Sequence, residues 1–501
     1  VITGVPEILA LESADIARAV TNGLGERAPV PLRHTFKGWE YDGTKEVIPR
    51  DTWQDFNWWN PSRAVWDADY SPGGTGERRY AITEFPFFSY WLGDMHPHVM
   101  SLPFVLLLLA LILQRASAAT PDFFLPALLL GLLYPLNSWD YPTYIVLYVA
   151  AIIWQSMRQT RSWRDIGIEV ATVLGASYLW YLPFHLTFYS LVGGAEPLVD
   201  MPVISTLSRF FGLAPARTEF HGFFVMFGLF ATPILVALGR HMRTRMEYIL
   251  FAVAMLVGIA GAFLGFTTVA AIPLLALALY IVTERTDVAP ALAVWLAITV
   301  MAALLCLAVD VVYIRDVFSS RMNTVFKFYY QVWVLWSIAA VIGGWYVWQM
   351  GSRTWRIALG VVMVPLLAAA LVYPAATIGK QLFAAREMNL AGRTPRDMVD
   401  GGPASITWLR ENAPAGSVIT EAIGGQYDIE GRGFGGVSAS TGLPAAMGWP
   451  GHEDQWRGGH PEAEQQIVQR EEDVRTIYSS GDEAVVRGLI DKYRIRFIYV
   501  G

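Results

Sequence analysis

Long apolar runs dominate the chain from about residue 99 to about residue 378. A helix needs about 20 residues to cross roughly 30 Å of hydrocarbon, and about ten runs approach that length. We expect membrane-spanning helices near residues 99–114, 121–136, 142–157, 166–190, 222–239, 246–263, 266–283, 289–312, 325–349 and 357–378. The pattern predicts a mainly α fold, a polytopic membrane helix bundle over residues 98–378.

The segments on either side of this bundle have a different composition. Residues 1–97 are more polar and carry several tryptophans, which is typical of a segment at the membrane interface, and residues 6–24 are expected to form a short helix. Residues 391–501 resemble a soluble α/β domain. In that domain, helices at 403–412 and 483–493 precede strands at 417–421 and 496–500, with a glycine-rich loop expected at 431–459.

The arginines of the bundle fall in alternate loops, which predicts how the protein lies in the membrane. Lysine and arginine in short loops favour the cytoplasmic side. The loops concerned contain Arg115; Arg158, Arg161 and Arg164; Arg240, Arg243 and Arg245; Arg285; Arg353 and Arg356. We therefore expect an integral plasma-membrane protein whose other loops, preamble and C-terminal domain are extracytoplasmic.

Composition removes several classes of protein. The chain has 501 residues, of which 54% are hydrophobic and only 16% charged, with a net charge of −6. Such a chain is too apolar to be disordered and offers no basic surface for nucleic acid. Its single cysteine, Cys306, cannot form an intramolecular disulfide or a cysteine-based zinc site. The chain starts at Val1 and stops within a predicted strand, so we expect a fragment of a longer protein.

The densest group of reactive side chains precedes the first expected span. Asp94, His96 and His98 alternate with other residues, and Pro97 favours an extended backbone, in which the three side chains point to one side. A carboxylate with two imidazoles suits a divalent metal, Mg or Mn, or a general base. The alternative is an ordinary helix start with Pro97 in its first turn.

Asp140 lies in a tight turn, residues 137–142, between two apolar helices. It faces the same side of the membrane as Asp94 in the expected topology and is a second candidate base. An aspartate followed by proline is also a common helix start, and that alternative stays open.

Arg321, Asn323 and Lys327 precede or begin another span. Asn323, Lys327 and Gln331 recur every four residues and so share one helical face. A charge at the bilayer centre costs about 2.5–3.5 kcal/mol, so Lys327 should lie near the surface or pair with an anion such as phosphate. The alternative is a lysine that snorkels to the interface. Glu169, His185 and Asp310 are isolated near helix ends and are expected to be structural.

The loop of the C-terminal domain contains a fourth group that suits sugar binding. A flat aromatic surface with hydrogen-bonding groups at its edge is what a sugar requires. The candidate residues are Trp449, His452, Glu453, Trp456 and Arg457. A folded loop with no binding role would have a similar composition.

Four segments carry a family resemblance: residues 85–98, 137–142, 321–330 and 448–453. Together, and in this order, they resemble the uncharacterised "YYY" membrane protein family. That family is similar in layout to C-type glycosyltransferases, which use polyprenyl-phosphate-linked sugars and carry acidic residues in outward loops. The main catalytic aspartate of those enzymes lies in a first outward loop, which has no counterpart here.

The resemblance and the one-sided placement of the polar groups lead to one functional hypothesis. We expect a glycosyltransferase that moves a sugar from a polyprenyl-phosphate carrier to an unknown acceptor outside the cell, where no nucleotide sugar is available. Asp94 or Asp140 would act as base, assisted by His96 and His98, with the phosphate bound by the Arg321 to Lys327 segment. The alternatives are a transporter or flippase of a lipid-linked or anionic solute, and a non-catalytic envelope scaffold.

Overall fold

The computed structural model describes residues 40–41, 46–47, 59–68, 78–93, 95–117, 123–188, 202–214, 216–316, 320–384, 402–424, 434–457 and 461–500. They fall into two compact units. One lies within Val1–Phe188 and Phe211–Ala385, and the other within Tyr189–Phe210 and Arg386–Gly501.

The first unit is a bundle of α-helices. Its helices are α1 (Pro86–Leu92), α2 (Pro97–Met100), α3 (Leu102–Ser117), α4 (Phe124–Asn137), α5 (Asp140–Arg158), α6 (Trp163–Trp180), α7 (Leu182–Thr187), α9 (Phe220–His241), α10 (Arg245–Phe263), α11 (Ala271–Glu284), α12 (Pro290–Val311), α13 (Met322–Met350) and α14 (Arg353–Ala384), while α8 (Pro202–Phe210) belongs to the second unit.

Each of the ten apolar runs coincides with a helix of the first unit. Within the described part of the chain, six segments are long and apolar enough to cross a membrane: Phe220–His241, Arg245–Phe263, Thr267–Glu284, Pro290–Val311, Met322–Met350 and Arg353–Gly379. The protein is therefore an integral membrane protein, and the count of ten crossings stays a prediction. The run expected at 166–190 is interrupted at Tyr181, because Pro183 in the first turn of α7 starts a new helix.

Helices α12 and α13 form the centre of the bundle. In their most apolar windows, 61% and 67% of the residues are buried, whereas only 17% are buried in α10 and in α14. The last two helices therefore present their apolar side chains outward, where lipid would solvate them.

Helix α13 packs closely on α9 where it carries Gly343. A Cβ atom at this position would lie 3.1 Å from the Cβ of Ala237 and 3.2 Å from the carbonyl oxygen of Pro233. Small residues at such crossings let two membrane helices approach each other. This contact determines which side of α13 faces α9 and which side faces away from it.

Short strands complete the first unit. Strands β1 (Glu40–Tyr41) and β2 (Glu46–Val47), β3 (Val65–Ala68) and β4 (Arg78–Ala81), and β5 (Phe211–Leu213) and β6 (Val312–Ile314) form three antiparallel pairs. The first two pairs belong to the preamble; residues 6–24 lie outside the described residues.

The second unit combines helices with a parallel strand pair. Strands β7 (Val418–Thr420) and β8 (Ile495–Ile498) coincide with the two expected strands and pair in parallel. The helices are α15 (Gly402–Asn412), α16 (Gly436–Thr441), α17 (Pro450–Arg457), α18 (Pro461–Ser479) and α19 (Glu483–Tyr493). The prediction of a loop at 431–459 was wrong in part, because the described residues of this range include α16 and α17.

Candidate functional site

The segment that carries His96 and His98 is the start of a helix. Gly93 ends α1 with a φ of 70°, and Pro97 is the first residue of α2, with His96 in the N-cap position. The extended backbone predicted at His96 is confirmed, but the run does not continue through His98, because Pro97 begins a helical turn. Asp94 lies outside the described residues.

His98 is buried between a cation and a carboxylate. Its Nδ1 lies 3.3 Å from Nζ of Lys327, and its Nε2 lies 3.7 Å from Oε2 of Glu84. A lysine ammonium can only donate, so Nδ1 accepts and the ring proton is on Nε2, toward Glu84. Burial lowers the pKa of His98 to about 4, despite the opposing effect of Glu84. The imidazole is therefore neutral at pH 7.

Asp140 is the first residue of α5 and is also buried, with only 4% of its surface exposed. Burial raises the pKa of Asp140 to about 6, and hydrogen bonds from Ser101 and Asn137 and the charge of Lys327 limit that increase. A carboxyl group with this pKa exchanges its proton near neutral pH, as a general base must.

Lys327 connects these two groups from the first turns of α13. Its Nζ lies 4.1 Å from the centre of the Phe326 ring, and its charge acts on both His98 and Asp140. We call Glu84, His98, Asp140 and Lys327 the charged cluster. It brings together three segments that are far apart in the sequence.

Gln331 holds α13 in register with the turn that carries Asp140. One helical turn beyond Lys327, its Oε1 accepts a 2.6 Å hydrogen bond from Thr143, and its Nε2 donates a 2.8 Å bond to the carbonyl oxygen of Trp139. The two contacts lie on either side of Asp140. One buried and one partly buried hydrogen bond thus hold α13 against the turn that carries Asp140.

Arg321 has a different environment from Lys327. Its guanidinium donates a 2.6 Å hydrogen bond to Asp310, and both side chains are 0% exposed. Asp310 also accepts hydrogen bonds from Thr218 and Thr268. The sequence analysis expected Asp310 to be isolated, and that expectation was wrong. The guanidinium of Arg321 is paired with the Asp310 carboxylate. We call Arg321, Asp310, Thr218 and Thr268 the buried ion-pair network.

The other expected site residues of the first unit also have protein partners. Nδ2 of Asn323 donates a 2.7 Å hydrogen bond to Asp316. His96 is half-buried, and its ring centre lies 5.2 Å from that of His98. Glu169, which was expected to be isolated, binds Arg115 and Arg161. His185 stacks on the ring of Tyr178.

The expected sugar-binding residues belong to the second unit. Nε1 of Trp449 donates a 2.5 Å hydrogen bond to the carbonyl oxygen of Phe434, and the Trp449 ring lies 5.2 Å from that of His452. Glu453 pairs with Arg457 at 2.9 Å within α17. The side chain of Trp456 lies outside the described residues. Trp449 and its neighbours thus form one partly exposed aromatic and polar surface.

The metal prediction depends on a residue that is not described. Among the described residues, no three histidine, cysteine, aspartate or glutamate side chains are placed to hold a metal ion. The one available lone pair of neutral His98, on Nδ1, faces Lys327, and Glu84 lies near Nε2. A Mg or Mn site at Asp94, His96 and His98 stays a prediction.

The sequence analysis did not single out Glu84 or Tyr330 as site residues. Glu84 is buried and accepts a 3.2 Å hydrogen bond from Ser89, and the ring of Tyr330 packs 4.5 Å from that of His98. The signal for Tyr330 was its position three residues after Lys327, on the same helical face. A single glutamate before an aromatic run gave no signal.

Comparison with known proteins identifies a family without a known activity. The family model described as "Uncharacterized membrane protein (DUF2298)" matches residues 9–336. This match supports the expected resemblance to an uncharacterised membrane protein family. No curated protein and no solved structure matches the chain.

Proposed function

The chain belongs to the uncharacterized membrane protein family DUF2298, and we propose that it is a glycosyltransferase of the C type. In this proposal it moves a sugar from a polyprenyl-phosphate carrier to a hydroxyl group of an acceptor. The chemistry takes place at the extracytoplasmic side of the membrane.

The convergence of His98, Asp140 and Lys327 carries the proposal. They come from α2, α5 and α13, and each stands at the end of a helix that leads into the apolar bundle. Buried charged groups at membrane depth are costly, and their usual role is functional. Here they supply the two elements that glycosyl transfer from a lipid phosphate needs, a base and a cation.

Asp140 acts as the general base in this mechanism. The acceptor oxygen attacks the anomeric carbon of the sugar while its proton passes to the Asp140 carboxylate. The bond between the anomeric carbon and the phosphate oxygen breaks, and its electron pair stays on that oxygen. The products are the glycosylated acceptor and the free polyprenyl phosphate, so atoms and charges balance without a further reactant.

Lys327 stabilises the negative charge that develops on the departing phosphate. In a site with little water, a fixed positive charge contributes strongly to transition-state stabilisation. Neutral His98 accepts from the ammonium group and so positions Nζ without competing for the anion. Glu84 in turn faces the Nε2 side of His98 and favours this tautomer.

We propose that the second unit carries a surface for a sugar or an acceptor. Trp449 provides an aromatic face, and His452, Glu453 and Arg457 provide hydrogen-bonding groups beside it. His96 lies near the charged cluster, since its ring centre is 5.2 Å from that of His98. The proposal includes a divalent metal bound by Asp94 and His96. Variants of Asp94 test this part of the proposal.

The direct test is to follow a labelled sugar. The purified protein in proteoliposomes is incubated with a series of polyprenyl-monophosphate donors labelled in the sugar, and with membrane extract as the source of acceptors. We expect release of polyprenyl phosphate together with transfer of label. Asp140→Asn should abolish both, whereas the matched exposed variant Asp165→Asn should not.

Two results would contradict the proposal. Movement of intact donor across the bilayer, with no cleavage of its sugar–phosphate bond, would instead establish a flippase. Full transfer by Asp140→Asn would remove the base from the mechanism. If no donor reacts and alanine at His98, Asp140 or Lys327 changes only stability, the cluster is structural and the scaffold alternative holds.

A further inference from the structure

Tyr330 lies against the charged cluster but takes no part in its hydrogen bonds. It is three residues beyond Lys327 on α13, so the two side chains share one helical face. Tyr330 is only 2% exposed, and its ring packs edge-on against His98 with 4.5 Å between ring centres. The position puts a phenol on the face of α13 that also carries Lys327.

The Tyr330 hydroxyl is buried and has no hydrogen-bond partner among the described residues. Its polar neighbour is Ser89, whose hydroxyl donates to Glu84 at 3.2 Å, and the contact between the Tyr330 and Ser89 hydroxyls falls short of hydrogen-bond geometry. A buried hydroxyl without a partner lowers the stability of a protein, because its hydration is lost without replacement. The residue is therefore poorly explained by folding alone.

The preceding residue provides an internal comparison. Tyr329 is 0% exposed, and its hydroxyl lies 2.5 Å from Oγ1 of Thr218, in contact with the buried ion-pair network. Two adjacent tyrosines on one helix are thus both buried, and among the described residues only the Tyr329 hydroxyl has a partner in hydrogen-bond geometry. The hydroxyl of Tyr329 is explained by its contact with Thr218, whereas the hydroxyl of Tyr330 has no comparable structural explanation.

We propose that the Tyr330 hydroxyl is a substrate-binding donor, which gives its hydrogen bond to a phosphoryl oxygen of the ligand held by Lys327. The inference rests on the proposed function and names a second contact to the same phosphate. A phosphoryl oxygen fits because it only accepts, and a bond to an anionic oxygen is stronger than one to a neutral group. Lys327 and Tyr330 together bind the phosphate from one face of α13.

The first experiment measures stability without ligand, in detergent, for Tyr330→Phe and Tyr329→Phe. Both variants remove one hydroxyl from neighbouring buried rings. Tyr330→Phe should unfold at the temperature of the wild type or above it, because it removes an unsatisfied group. Tyr329→Phe should unfold at a lower temperature. If Tyr330→Phe loses as much stability as Tyr329→Phe, its hydroxyl has a protein partner and the inference is overturned.

The second experiment measures binding of two probes, farnesyl phosphate and inorganic phosphate. Tyr330→Phe should weaken binding of farnesyl phosphate at least tenfold, as expected for a lost bond to an anionic oxygen, while Tyr329→Phe binds as the wild type does. Inorganic phosphate should bind more weakly than the lipid phosphate. Equal binding of both probes would show a free-phosphate site and overturn the assignment to a lipid-linked substrate.

Lys327→Met separates the two levels of the proposal. Loss of farnesyl phosphate binding in Lys327→Met but not in Tyr330→Phe would overturn the role of Tyr330 and leave the proposed function standing. Unchanged binding in Lys327→Met, or none in the wild type, would overturn both.

Discussion

Two buried cations lie six residues apart at the start of α13, and their surroundings differ. Arg321 is enclosed by acceptors, with an ion pair to Asp310 at 2.6 Å and both side chains 0% exposed. Lys327 lies 3.3 Å from a neutral imidazole, and its charge acts on the carboxyl group of Asp140, which also accepts hydrogen bonds from Ser101 and Asn137. The first cation donates to a buried carboxylate, whereas the second lies beside a neutral imidazole and a carboxyl group of raised pKa.

The difference shows that a membrane helix bundle can use a buried basic residue either for stability or for chemistry. A buried ion pair whose remaining lone pairs are all satisfied stabilises a fold only as long as both partners are present. A cluster with a neutral histidine, a carboxyl group of raised pKa and a hydroxyl that has no well-formed hydrogen bond among the described residues is suited to receive a ligand. We therefore assign stability to the buried ion-pair network and chemistry to the charged cluster.

The largest expected effect is on the buried ion-pair network. Asp310→Asn leaves the Arg321 guanidinium buried without its counter-charge, which should lower the free energy of unfolding by about 3–5 kcal/mol. Denaturant titration in mixed micelles measures this change. Glu284→Gln, at an exposed position, is the control and should change the value by less than about 0.5 kcal/mol. An Asp310→Asn protein as stable as wild type would remove the distinction between the two regions.

Asp140→Asn should lower the rate of transfer by about 10²–10⁴-fold, because the amide cannot accept the proton of the acceptor. Stability should be maintained, since burial disfavours the charged form that the substitution removes. Activity and thermal unfolding measured on one preparation check both statements. A parallel loss of both would assign Asp140 a structural role.

The wild-type protein should show the corresponding pH dependence. Because the base must be ionised and the pKa of Asp140 is about 6, the rate should rise as the pH increases through 6. Stability should change with pH in the opposite direction to the rate. Because the pKa of Asp140 in the folded state lies above the ordinary value of 3.8, its contribution to stability grows as the pH falls from about 6 toward 4. Asp140→Asn should lack both dependences. A rate profile that is the same in the variant would exclude Asp140 as the titrating group.

The smallest expected effect concerns the spacing within the charged cluster. Gln331→Leu removes the bonds to Thr143 and Trp139 and should cost about 1–3 kcal/mol of stability by leaving buried groups unsatisfied. It should also slow transfer by about tenfold, because Lys327 and Asp140 are no longer held at a fixed distance. Thr143→Val removes only one of the two bonds and should show less of each effect. Equal rates in all three proteins would show that this spacing is not critical.

Much of the helical architecture could be predicted from the sequence, because crossing a bilayer demands long uninterrupted apolar runs. Each expected run coincides with a helix, and helix starts such as the Thr244 cap with Glu247 follow local rules. The break at Tyr181 was missed, since the hydropathy of residues 166–190 does not change there. The short helices α16 and α17 were missed because glycines and prolines lie around them throughout residues 431–459.

The site was predictable only as separate parts. His98, Asp140 and Lys327 stood out because each is a polar group beside an apolar run. Their convergence depends on how α13 packs on α2 and α5, which no local pattern contains. The same limit hid the difference between Arg321 and Lys327, because the pairing of Arg321 with Asp310 links the ends of two helices.

The most direct test of the account compares Lys327→Met with Arg321→Met in one preparation, by measuring sugar transfer per folded protein and the free energy of unfolding. The account predicts that Lys327→Met reduces transfer by about 100-fold or more, with a smaller loss of stability than Arg321→Met. Arg321→Met should lose stability, and its remaining folded fraction should retain transfer. If the two variants lose activity and stability in the same proportion, the charged cluster is a structural feature like the buried ion-pair network, and the central claim is wrong.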